Sequence, residues 1–388
     1  MTKTIVASTF ENNEKAVDEI LSGLEIKESL LKNSLGIIAC HKDFVTSGVM
    51  KKVCDALPFD VIGAISSLQS TGDKTGKVAL SIMLITTDEA RFVNVVTPSL
   101  EDNFEQKIMD CYKQAATGVY GRASLVLAYW PFMYQYSGDD CINALSVASY
   151  GAPCFGTIAV DDSDDFSGSF TIFNGEHYND RLVFSLVFGN IKPKFYIANI
   201  SLDKMFEKSA KVTKSSGTVI SEIDSRPAFE FFEELGILEA FDSVKSLLVL
   251  PFLIDFHDNT PMVAKQAFGL TVAKRIQCNG TVPEGSTLHV ATNERTDILN
   301  TTGAKVDEFL KEAGEANGLL IYSCISRSWV MGDRPHDEAD LINFKINELG
   351  KKLPTFIAYS GGEICPTTSF NDKAINRFHN NTFVACLF

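Results

Sequence analysis

The chain reads as an α/β protein of α+β character: repeated strand–helix–strand units, mixed parallel and antiparallel sheets, and two domains. Three observations predict this. Apolar runs of strand length alternate with stretches whose apolar residues recur at helical spacing. A strand–helix–strand pattern occurs three times, near residues 35–66, 125–159 and 319–360. Further strand-like segments follow the first two units, and hairpins of this kind pair antiparallel while the crossover units pair in parallel.

Residues 4–8 form a short strand, and 14–24 set Ile, Leu and Val at helical spacing between charges. The first unit has a strand at 35–40, a helix at 45–57 and a strand at 58–66. Strands at 78–85 and 90–96 then read as an antiparallel pair joined by 86–89. The second unit repeats this with strand 125–129, helix 139–149 and strand 152–159, followed by strands 168–173, 182–188 and 194–200. Gly63 and Gly156 fall at like places, 93 residues apart, which suggests an internal duplication.

A hairpin within 212–224, a helix at 227–235 and strands at 247–256, 268–275 and 285–292 come next. A helix at 297–316 is interrupted near Thr302-Gly303. The third unit comprises strand 319–323, helix 338–349 and strand 354–360, and the chain closes on strand 383–387. The polar stretch 208–217 marks the expected boundary between domains 1–210 and 211–388.

Composition narrows the function. The 388 residues are 45% hydrophobic, enough for substantial cores, and carry a net charge of −14. Such a field disfavours nucleic acid and anionic membrane as partners. The longest apolar run, about residues 247–254, is too short to span a bilayer, so no membrane insertion is expected. Nine cysteines are spread with no CxxC pair, and the first residues lack a signal-peptide core. Reduced thiols and a cytoplasmic location follow as expectations.

The stretch from 318 to 388 concentrates the chemistry. Arg327 follows a buried strand and could hold a carboxylate or phosphate in a bidentate fork, or form a salt bridge. Glu363 follows Gly361-Gly362, which permits a sharp bend that presents the carboxylate to a ligand ammonium; a structural pairing with an arginine is the alternative. Asn376, Arg377, His379 and Asn380 precede the last strand. Asn380 reads either as a ligand contact or as support for the glycine turn. A Cys-His pair of Cys324 or Cys365 with His379 would make a hydrolase or transferase, against which buried cysteines are commonly inert. His41, at a strand end, reads as a satisfied polar group. The acidic run 161–165 lacks the glycine and the bidentate glutamate of an EF-hand loop and reads as a solvated turn, so no metal is expected. No Walker A, GxGxxG, HExxH or GxSxG sequence occurs, and no cofactor is expected.

These residues also carry a resemblance. YSGGEICP followed by NRFHNNTFVACLF resembles the end of the C-terminal FIST domain, and SCISR resembles that family's Ser-Cys-x-Gly-Arg turn, with Ser326 at the glycine. IDSRPAFEFFEELG is similar to the family's Ile-Asp-Gly-x-Pro-Ala helix start, with Ser225 at the glycine. VIGAIS and CFGTIAVDD resemble strand ends of the N-terminal FIST domain, with Phe155 where glycine is usual. The resemblance implies a prokaryotic intracellular sensory protein that binds a small polar molecule, an amino acid being one candidate. It would signal through a separate partner protein. From their types and positions at the strand ends, Arg327, Glu363, Gly361, Gly362, Asn376, Arg377, His379 and Asn380 are the expected ligand-binding set, with Arg327 taking a carboxylate and Glu363 an ammonium.

Overall fold

The computed structural model describes residues 1–72, 74–133, 135–163, 166–348, 350, 352–368 and 374–388. Its three unit-built sheets are mixed, as the repeated units predict. Each unit supplies two parallel strands: Asn33–Cys40 with Val61–Ile65, Leu125–Trp130 with Cys154–Ile158, and Leu319–Cys324 with Thr355–Ser360. Each parallel pair is extended on one side by two antiparallel strands. In the first sheet these are Leu80–Thr87 and Thr2–Thr9, in the second Val183–Gly189 and Ala90–Val96, and in the third Phe383–Leu387 and Lys194–Ala198.

The other side of each sheet is completed by a hairpin from a different unit. Thr171–Phe173 and Glu176–Tyr178, which follow the second unit, add to the first sheet. Glu363–Thr368 and Ala374–His379, which follow the third, add to the second. Gln69–Thr71 and Lys74–Gly76, which follow the first, add to the third. Three six-stranded sheets of one topology thus exchange hairpins in a cycle, which interlocks them. Alternate residues of all three point into one shared core, among them Ile37, Met83, Leu127, Phe155, Tyr322 and Val384. Tyr322 donates its hydroxyl proton to the Tyr129 oxygen at 3.0 Å inside this core. The outer faces are covered by helices, such as Gly138–Ala148 on the second sheet and Arg295–Leu310 with Asp337–Glu348 on the third.

A fourth sheet, running from Met205–Ser216 to Thr287–Ala291, has its own core around Phe232, Phe252 and Leu288.

Some elements differ from the sequence reading. Leu80–Thr87 and Ala90–Val96 do not pair with each other; the chain crosses between the first and second sheets at Asp88-Glu89. All but the last residue of the polar stretch 208–217 lies in a twelve-residue strand, Met205–Ser216, that opens the fourth sheet. The 45–57 helix is two short helices, Lys42–Thr46 and Val49–Asp55, parted at Gly48 with φ 77°. Arg295–Leu310 runs unbroken through Thr302-Gly303, where the small residue suits the approach of the Asp337–Glu348 helix. Phe104–Ala116 is a helix the sequence reading did not place. Asp161 is not solvated: it is 1% exposed and accepts from Ser163, Gly168 and Ser169. Asp164 and Asp165 lie outside the described residues.

Candidate functional site

The third unit's two parallel strands end side by side at Cys324 and Ser360, and each hands its chain to polar residues that the fold buries. After the first, a helix at Ile325–Val330 carries Arg327 inward, where it is 1% exposed. Its Nε and Nη2 donate to Glu338 Oε1 at 3.0 and 2.6 Å, Nη2 also to Thr302 Oγ1 at 2.7 Å, and Nη1 to the Asn381 carbonyl at 3.1 Å. Glu338 accepts further from Thr302 Oγ1 and Ser323 Oγ, both at 2.6 Å. Burial alone would raise the Glu338 carboxyl, but the Arg327 charge and these hydrogen bonds outweigh it and hold the group below the usual carboxylate range. The guanidinium is therefore committed to protein partners.

After the second strand the chain turns at Gly361-Gly362. Gly362 has φ 152°, and a Cβ there would meet the Phe378 ring at 2.4 Å, so only glycine fits. The turn is held by Gly361 N donating to the Ile158 carbonyl at 2.9 Å and by Asn279 Nδ2 donating to the Gly361 carbonyl at 3.2 Å. It delivers Glu363 into a fully buried position. Burial raises this carboxyl to about 8, although Ser360 Oγ donates to it at 2.5 Å, Thr382 Oγ1 at 2.7 Å, and the Arg327 charge acts in the same sense.

The hairpin strand Ala374–His379 sets His379 opposite Glu363. His379 Nε2 lies 3.1 Å from the Cys365 carbonyl, while Nδ1 has no hydrogen-bond partner among the described groups. Burial lowers the imidazole to about 3, so it is neutral at physiological pH. Asn380 is wholly buried, and neither Oδ1 nor Nδ2 has a partner among the described groups. Its Nδ2 lies 3.1 Å from where a Cβ on Gly362 would stand. Asn381, at φ 56°, accepts from Ser326 Oγ at 2.7 Å and donates to Gln266 Oε1 of the fourth sheet.

The fourth sheet closes the cluster. Ala264 accepts from Asn380 N at 3.1 Å. Lys265 is 0% exposed, and its Nζ donates to the Asp139 carboxylate at 2.8 and 2.9 Å and to the Phe378 carbonyl at 2.8 Å. Burial lowers this ammonium, and Asp139 opposes that.

Of the residues expected to bind ligand, Arg327, Glu363, Gly361, Gly362, His379 and Asn380 are brought together. Asn376 and Arg377 face elsewhere. Asn376 accepts from Cys154 N at 2.8 Å and donates to Ser146 Oγ and the Ala152 carbonyl, pinning the hairpin to the second sheet. Arg377 pairs with Asp258 and stacks over Phe256. Glu338, Thr302, Lys265, Gln266 and Asn381 were not anticipated. Glu338 sits in the first turn of its helix, where an acidic residue reads as a terminal charge. The fourth-sheet groups come from a segment distant in sequence.

Burial pushes Cys324 up to about 12, and Cys365 is raised as well. Cys324 Sγ accepts from Ser326 Oγ at 3.0 Å and Cys365 Sγ faces the Pro366 carbonyl at 3.6 Å, while His379 Nε2 faces the Cys365 carbonyl. Among the described residues no group of three or more His, Cys, Asp or Glu is placed to hold a metal, and no helix is long and apolar enough to cross a membrane.

This is a multi-sheet α+β protein with an enclosed polar cluster at the ends of parallel strands, and the comparisons give its family. The FIST N domain matches residues 34–226 and the FIST C domain residues 228–366, so the chain belongs to the FIST family. FIST domains are in general sensory domains of signal transduction. The matched range ends at residue 366, before His379 and Asn380. A relative, the uncharacterized protein MJ1623 of Methanocaldococcus jannaschii, is 22% identical over 97% of this chain and 78% of its own. Among solved structures, T. maritima PurL complexed with ATP aligns over 100% of this chain and 71% of that one at 10% identity. Its TM-score of 0.21 is too low to carry an argument.

Proposed function

We propose that the protein is a cytoplasmic sensor that binds a small polar metabolite of the amino-acid kind at this cluster and signals through a separate protein. The observation that carries the reading is Asn380. A wholly buried amide is ordinarily hydrogen-bonded, because leaving it unpaired costs about 1–3 kcal/mol. Here both amide atoms and His379 Nδ1 lack partners among the described groups, which supports a guest at this point, beside a turn that only glycine can make. A donor and an acceptor on Asn380 suit a ligand's carboxyl end. Glu363 suits an ammonium, which would draw the proton off a carboxyl that burial keeps protonated. Arg327 acts from behind: balanced by Glu338, it grips the Asn381 carbonyl and so positions residues 379–382. The fourth sheet touches the same residues through Ala264, Lys265 and Gln266, so a guest that rearranges them shifts that sheet against the other three.

Thermal-shift screening against amino acids, their amides and dipeptides tests this. A ligand at 100 times its dissociation constant adds about 2.7 kcal/mol and raises the melting midpoint by a degree or more. An amine-bearing hit should release close to one proton at pH 7, read by calorimetry in buffers of different ionisation enthalpy, and Glu363→Gln should abolish that release. A panel that shifts nothing rejects the ligand class.

A further inference from the structure

The helices Arg295–Leu310 and Asp337–Glu348 face two ways. Their inner sides give Thr302 and Glu338 to Arg327; their outer sides frame an open groove of about 690 Å³. Leu299, Ala304 and Leu341 line it, and Phe344 stands beside them with 60% of its surface exposed. Gly303 keeps the groove low: a Cβ there would reach Leu341 at 3.7 Å and Lys345 at 3.4 Å. The lining carries the carboxylates of Asp307, Asp337 and Asp340 against the single cation of Lys345. Lys345 is taken by Asp307 at 2.7 Å and Asp337 by Arg295, while Asp340 has no cationic partner among the described residues.

We infer that this groove docks an amphipathic α-helix of a separate protein, with an apolar stripe flanked by Lys or Arg. Two side-by-side helices present ridges and a trough into which a third helix packs. The lining runs from Leu299 to Asp307 on one helix and from Asp337 to Lys345 on the other, so the groove seats about 13 Å of a partner helix. The carboxylate of Asp340, left without a cation among the described residues, favours a basic partner, and a second copy of a chain carrying −14 is repelled. Thr302 adjoins Gly303 and Glu338 adjoins Asp337, so a rearrangement around Arg327 moves the groove's own walls. The role as signal exit rests on the sensory reading; the docking itself needs no ligand.

The test uses a labelled sixteen-residue Leu/Lys amphipathic peptide and a scrambled peptide of equal charge without the stripe, titrated by fluorescence anisotropy. The stripe peptide should bind wild type at least tenfold tighter than the scramble. Phe344→Glu and Asp340→Lys should each weaken it at least tenfold, whereas Val272→Glu, at an exposed site elsewhere, should not. Equal binding of the two peptides, or wild-type affinity in Phe344→Glu, overturns the proposal. So does a wild-type dimer in sedimentation that Phe344→Glu dissociates, which would make a second copy the occupant. Circular dichroism confirms that the variants are folded. If docking holds while no metabolite binds, the ligand reading alone has failed.

Discussion

Arg327 Nη2 and Glu338 Oε1 lie 2.6 Å apart, with both side chains 1% exposed. A pair this deeply buried gains specificity more surely than stability, because desolvation offsets the attraction. Glu338→Gln leaves the guanidinium without its counter-charge and should cost about 3–5 kcal/mol. The double variant Arg327→Met/Glu338→Leu should recover most of the loss. Urea unfolding of the single and double variants measures both.

Glu363 has a pH signature of its own. Its folded value, about 8, lies above the unfolded one, so the stability it contributes is fully present below about 4.5 and is lost as pH rises toward 8. Between pH 5 and 8 the wild type should lose stability relative to Glu363→Gln by about 1.4 kcal/mol per unit. His379 slopes the other way below pH 6.5, since its folded value of about 3 means the unfolded chain binds the extra proton. Taking the difference between wild type and Glu363→Gln cancels that part. Parallel stability curves would show that Glu363 is already ionised in the folded state.

Gly362→Ala drives a methyl into the Phe378 ring at a φ that side chains rarely adopt. A loss of about 2–4 kcal/mol is expected, from strain and overpacking together. Gly217→Ala has a positive φ of 55° but open space around it, and should cost about 1 kcal/mol. Melting midpoints of the two variants separate the effects.

Thiol reactivity should follow burial. Cys111 is partly accessible, whereas Cys324 and Cys365 are buried with raised values. With a small disulfide reagent at pH 7, Cys111 should react first and the two others only on unfolding. Fast modification of Cys324 in the folded protein would revive the cysteine-enzyme reading.

Much of this was legible in the chain. The parallel strands of each unit follow from their apolar runs and crossover helices, and Gly361-Gly362 announced a turn that Gly362 confirms. The cyclic hairpin exchange was not legible: Gln69–Thr71 pairs with Ile357-Ala358, nearly 300 residues away, and no local period encodes such a partner. The site divides in the same way. Arg327, Glu363, His379 and Asn380 stand out by type and position near strand ends, and their burial together is a tertiary fact. Asn376 and Arg377 looked equivalent to their neighbours because sequence does not say which face of a hairpin each side chain takes. Lys265, the buried cation closing the cluster, lies in a short strand whose composition gives no hint that Asp139 awaits it.

The most direct test compares ligand binding by wild type and Asn380→Leu, using calorimetric titration with the strongest hit from the metabolite panel. Leucine keeps the same branching of heavy atoms and removes two unpaired buried polar atoms, so the variant should be as stable as wild type or more so. If the cluster is the binding site, the titration signal of the wild type should disappear in Asn380→Leu while the fold is kept. Unchanged affinity in the variant would contradict the account and place the ligand elsewhere.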